Sequence, residues 1–87
     1  MKVEIITPTT RLYNDDAKTV TVPSKQGPFT MLDHHAPIVA ILEAGKVTLT
    51  DLNDEIHAFD ILGGVCEQHD NQVILCVEDG TAKPSTK

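Results

Sequence analysis

The chain has 87 residues, 40% of them hydrophobic, which supports one domain with a modest core and leaves no room for a second. Thirteen acidic against seven basic side chains give a formal net charge of -6, and 3% of residues are aromatic. This composition argues against nucleic acid as a partner, since phosphate needs a basic surface and single strands need stacking aromatics; it favours solubility or a basic partner surface.

In chain order, apolar residues recur with period two at Val3 and Ile5, Val20 and Val22, Phe29 and Met31, Val47 and Leu49, Ile56 and Ala58, and Val73, Leu75 and Val77, the spacing of half-buried strands. Turn signals fall between them at Asn14-Asp15-Asp16, Gln26-Gly27-Pro28, Asp51-Leu52-Asn53-Asp54 and Asp70-Asn71. The pattern predicts an all-β protein: a small antiparallel β-sandwich or flattened barrel of about eight to ten short strands. Ile38 to Leu42 and Val73 to Val77 are apolar on both parities. That predicts strands covered on both faces, by the second sheet on one side and by another subunit or by sandwich corners on the other. A helix from His35 to Ala44 is opposed by Pro37 and the β-branched Ile38, Val39 and Ile41. Residues 1–79 are expected to form the domain and 80–87, polar and breaker-rich, to fray.

No apolar run reaches the length of about 20 residues that spans a bilayer. Met1-Lys2-Val3-Glu4 lacks the basic-then-apolar layout of a secretion signal. A cytosolic chain that meets a membrane through a partner is expected, without direct insertion.

Few residues invite a chemical reading. Asp33-His34-His35 has the lettering of certain metal-dependent phosphoesterases, but such a site needs further carboxylates on separate strands. In a strand His34 and His35 would point to opposite faces. His57 and His69 read as solvated or locally paired. No nucleophile constellation or phosphate loop appears, so no catalytic residue, cofactor site or metal site is assigned. A sugar-binding module would want exposed Trp or Tyr, and the chain has Tyr13 and no Trp. Cys66 and Cys76 read as buried reduced thiols. A three-residue loop at Asp70-Asn71-Gln72 would set them face to face across a hairpin, and a two-residue loop would place them on opposite faces. Gly27, Gly63 and Gly64 read as structural turns, or as positions where a bulge, bend or close neighbour excludes a side chain.

Read together, Val20-Thr21-Val22-Pro23, the turn at Gly27, His35-Ala36-Pro37 followed by Ile38 to Leu42, then Gly63-Gly64-Val65-Cys66-Glu67 and Val73 to Val77 resemble the amino-terminal β-sandwich of the epsilon subunit of F-type rotary ATP synthases. The order and spacing agree without an insertion over nearly the whole chain. The resemblance implies a non-catalytic rotor subunit at the foot of the central stalk, joining the gamma subunit to the membrane c-subunit ring so that ion flow stays coupled to ATP synthesis. It implies a peripheral position on the cytoplasmic side of a bacterial inner membrane. By the same resemblance, Thr7, His35 and Ala40 would face gamma, and Gln26, Gly27, Pro28 and Phe29 would form the loop turned toward the polar loops of the ring. Two departures stand out. Thr30 and Asp33-His34 occupy positions where the family has Gly and Pro-Gly, and the polar tail stands where the family continues into a helical hairpin, so the inhibitory function of those helices is expected to be absent.

Overall fold

The period-two segments form six strands in a computed structural model that describes residues 1–80: β1 Lys2–Ile6, β2 Arg11–Val22, β3 Phe29–Leu32, β4 Ile38–Asp51, β5 Ile56–His69 and β6 Gln72–Asp79. The sheet order is β1-β6-β5-β4-β2-β3, and a further β1–β2 pairing closes it. Pairing is antiparallel throughout except between β1 and β6, which run parallel. The class is the expected all-β one. The strands are fewer because β2, β4 and β5 run 12, 14 and 14 residues and change partners along their length. Arg11 to Asp16 of β2 pair with β1, while Thr19 to Val22 pair with β3 on one side and Thr19 to Thr21 with β4 on the other.

The predicted turn at Asn14-Asp15-Asp16 is strand, opposite Glu4, Val3 and Lys2. All three side chains are exposed, so their polarity marks a solvent face. The reversal falls earlier, where the Thr7 N–H donates to the Thr10 carbonyl at 2.8 Å. Gly63 and Gly64 likewise lie inside β5 rather than at a turn. The ladder between β5 and β6 shifts by one residue between Ile61 and Gly63, which is a bulge beside the glycine pair. A Cβ on Gly64 would collide with the Cys76 carbonyl and come within 2.8 Å of Val77 Cα.

The core gathers the inward residues of every strand: Val3, Ile5, Val20, Val22, Met31, Val47, Leu49, Cys66, Val73 and Leu75 are all buried. Burying each aliphatic side chain contributes roughly 1.5 to 3 kcal/mol. Gln68 is also buried, and neither its Oε1 nor its Nε2 has a hydrogen-bond partner among the described residues. The β5–β6 turn is the two-residue Asp70-Asn71, with φ of 52° and 59°. Both values suit a primed hairpin turn, which Asp and Asn tolerate. Cys66, opposite Leu75, therefore faces the core, and Cys76, opposite Val65, faces out. No disulfide joins them. Of the predicted tail 80–87, Gly80 is held by its N–H donating to the Asp60 carbonyl at 2.8 Å, and residues 81–87 lie outside the described residues.

Candidate functional site

The Asp33-His34-His35 triplet is a turn rather than a strand, with His34 at φ 63°. Its three members have separate engagements. The Asp33 carboxylate accepts from the Met1 ammonium at 2.5 Å, which holds its pKa below the usual carboxylate value. The His34 N–H donates to Asn71 Oδ1 at 2.8 Å. The His35 ring Nδ1 donates to the Ala36 carbonyl at 2.7 Å and its plane stacks on Phe29, with centroids 6.4 Å apart.

A different trio converges: ligand atoms of Asp51, Glu55 and His57 lie within 4.8 Å of one another. The Asp51 carboxylate is already satisfied. Its Oδ1 accepts the N–H groups of Asn53 and Glu55 at 2.8 and 2.9 Å, and His57 Nε2–H donates to Oδ2 at 2.8 Å. The His57 bond is the largest influence lowering the Asp51 pKa, with the two backbone donors adding to it. Tyr13 meets the His57 ring edge-on at 5.3 Å. Burial, followed by the charges of Asp15, Asp51 and Asp16, raises the Tyr13 pKa. The arrangement locks the β4–β5 turn.

Four predicted residues, Gln26 to Phe29, share a groove of about 660 Å³ with Ser24, Lys25 and Ile38 to Ile41. The Gly27 N–H closes the loop onto the Ser24 carbonyl at 2.9 Å, and Gly27 sits at φ 117° with open space around it. Lys25 N–H to Ile41 O and Glu43 N–H to Pro23 O, both 2.9 Å, tie the loop to β4. Ala40 lies in this groove, and His35 adjoins it through Phe29. Both Phe29 and Ala40 are partly buried against the core. Thr7 lies in another recess, of about 510 Å³, with Ile6, Pro8, Cys76, Val77 and Glu78. Its Oγ1 accepts the Thr10 N–H at 2.9 Å. The groove thus collects six of the seven predicted residues directly or by stacking, and Thr7 stands apart.

The neighbours of Ala40 carry the exposed apolar surface: Val39 is 67% and Ile41 53% exposed. Strand parity turns them away from the core. Across the ladders Ile41 stands opposite Val65, and Val65 opposite Cys76, on the outer side of β4, β5 and β6. Sequence reasoning expects this second face to be covered by another subunit or by sandwich corners but names none of these outward residues as a contact. Their signal is the apolar character of Ile38 to Leu42 and Val73 to Val77 on both parities.

Known proteins agree with this architecture. The chain is 34% identical over 82 residues to the ATP synthase epsilon chain of Sulfurimonas denitrificans, covering 94% of this chain and 63% of that one. It is 35% identical over 78 residues to the ATP synthase epsilon chain of Chlorobium limicola, covering 90% and 89%. The chain thus spans about three fifths of the length of the first relative and most of the second. Among solved structures, the Tetrahymena thermophila mitochondrial ATP synthase central stalk and c-ring contains a chain that superposes with a TM-score of 0.77 at 20% identity, over 91% of this chain and 63% of that one. A chain of the Euglena gracilis mitochondrial ATP synthase superposes at 0.81 with 16% identity, over 86% and 48%. At those identities the superpositions establish the shared fold. The family profile for the ATP synthase delta/epsilon chain β-sandwich domain matches residues 1–83, and with an all-β closed sheet beneath that match, the chain belongs to this family.

Proposed function

We propose that this chain is a non-catalytic rotor component of a bacterial F-type ATP synthase, seated in the central stalk between the gamma subunit and the c-subunit ring. The observation that carries the reading is the family match over residues 1–83 on a body whose described residues are entirely strand and turn. Such a part transmits torque by stiffness. Each interior strand is held on both sides by backbone hydrogen bonds and packs over a dense core, whereas a loose connector would absorb the motion. On this reading His35 and Ala40, with Thr7 on a second recess, face gamma, and the Gln26 to Phe29 loop rests on polar loops of the ring. The chain sits peripherally on the cytoplasmic side of the inner membrane.

The Asp33-His34-His35 phosphoesterase reading has no geometric support, because the Asp33 carboxylate and the His35 ring engage separate partners and the His34 contact to Asn71 is made by its backbone N–H. The test of the rotor reading is genetic and bioenergetic. Membranes from cells lacking this chain are expected to lose proton-coupled ATP synthesis and to regain it when the chain is restored. Unchanged coupling in the deletion strain rules the proposal out.

A further inference from the structure

Near the end of β5, Glu67 and His69 are exposed, while Gln68 between them turns inward and is 1% exposed. The ladders set Gln68 between Ile38 of β4 and Val73 of β6, whose side chains offer no hydrogen bond. Neither Oε1 nor Nε2 has a hydrogen-bond partner among the described residues. A buried carboxamide left dry in this way is costly, and protein interiors ordinarily answer such a group with a protein partner or with ordered water. Gln68 also lines a recess of about 400 Å³ with Pro37, Ile38, Val39, Glu67 and His69, and it is the buried member of that set. Pro37, just before β4, has no N–H to donate.

We propose that this recess leads to an internal hydration site, in which ordered water binds the Gln68 carboxamide between β4, β5 and β6. The group itself selects the ligand. Oε1 accepts and Nε2 donates, so the occupant must donate and accept within one small volume, and water does both. A metal cation would answer Oε1 alone and an anion Nε2 alone, leaving the other atom orphaned. Ile38 and Val73 supply no counter-charge for either ion. Such occupancy is common, on the order of one buried water for about 27 residues of a folded chain. The site is independent of the stalk reading. Torque transmission asks for a packed interior, and the inward neighbours Cys66, Val73 and Leu75 are all apolar and buried, so the carboxamide is a local exception that needs its own partner.

Water-selective NOE and ROE spectra of the full chain test this. Val73 is 1% exposed, so bulk solvent does not reach it. Cross-peaks from water to the Val73 methyl protons and to the Gln68 Nε2 protons are expected, with the opposite NOE and ROE signs of a long-lived bound molecule. The Val73 cross-peak is expected to vanish in Gln68→Met, which keeps the length of the side chain and removes its strong hydrogen-bonding atoms. Stability gives a second readout. Replacing a carboxamide satisfied by water is expected to change the unfolding equilibrium constant by less than about threefold, whereas removing a dry one would stabilise by about tenfold or more. Absence of the Val73 cross-peak in the unsubstituted chain overturns the proposal, as does a tenfold stabilisation by Gln68→Met. A crystal structure of the full chain in which a protein group rather than water bonds the carboxamide overturns it as well. If Gln68→Met fails to fold, the spectra and the crystal structure of the unsubstituted chain still decide.

Discussion

Gly64 shows how one missing side chain sets the spacing of two strands. A Cβ there would meet the Cys76 carbonyl and sit 2.8 Å from Val77 Cα, so β5 and β6 could accept it only by moving apart. Gly27 differs: its φ is 117°, yet nothing lies within 4 Å of the point a methyl group would occupy, so the cost there is conformational alone. Gly64→Ala is accordingly expected to destabilise by about 3 kcal/mol, from overpacking and strain together, and Gly27→Ala by about 1 kcal/mol. Urea midpoints with unchanged m-values would show this ordering, and equal losses would contradict it. Both glycines stand out in the sequence as backbone-driven positions. What the sequence did not reveal is the kind of demand, since a close approach from β6 depends on residues a dozen positions away. The cysteines illustrate the same limit. Their facing turned on whether the hairpin loop held two residues or three, and positive φ at both Asp70 and Asn71 selects two.

At the scale of elements, the β4–β5 turn is organised by one carboxylate. Asp51 accepts from His57, Glu55 and Asn53, and these bonds lower its pKa, the His57 bond most. A carboxyl whose folded pKa lies below its unfolded one contributes stability that is complete above the unfolded value, about 4, and is lost as pH falls through the folded value. Asp51→Asn is therefore expected to lower Tm at neutral pH and to flatten its fall below about pH 4. Thermal melts from pH 7 to pH 2 would check this, and parallel acid limbs for the two proteins would refute it. Asp33, lowered in the same direction by the Met1 ammonium, gives both proteins a shared residual slope. Strand alternation was legible almost throughout, because period two is a local property. Strand continuity was not. Asn14-Asp15-Asp16 has turn composition but an exposed strand position, and local chemistry cannot distinguish a reversal from an edge rich in solvated acids. The apolar run from Ile38 to Leu42 correctly announced a strand with two apolar faces. The groove of Gln26 to Phe29 against Ile38 to Ile41 was harder to foresee, because it is made by hydrogen bonds between Lys25 and Ile41 and between Glu43 and Pro23.

For the whole molecule, closure of the sheet is the dominant property. β1 pairs with β2 on one side and β6 on the other, so β1 is not left with a free edge, and β3, paired only with β2, stands at the far end of the order. Most of this pairing joins residues distant in sequence, such as Val3 with Val73 and Val20 with Leu49. Topologies dominated by such contacts fold slowly. Refolding from urea is expected to take milliseconds to seconds, and stopped-flow fluorescence of Tyr13 would follow it; completion within microseconds would be incompatible with this pairing.

The parallel pairing of Lys2 to Ile6 with Gln72 to Cys76 has a consequence during synthesis. The second neighbour of β1 lies far along the chain, with Lys2 paired to Gln72, so while the strands between them are being made the β1 backbone donors and acceptors on that side are open to any passing strand. β1 is thus most vulnerable to mispairing before Gln72 emerges, and arrival of β6 shields it.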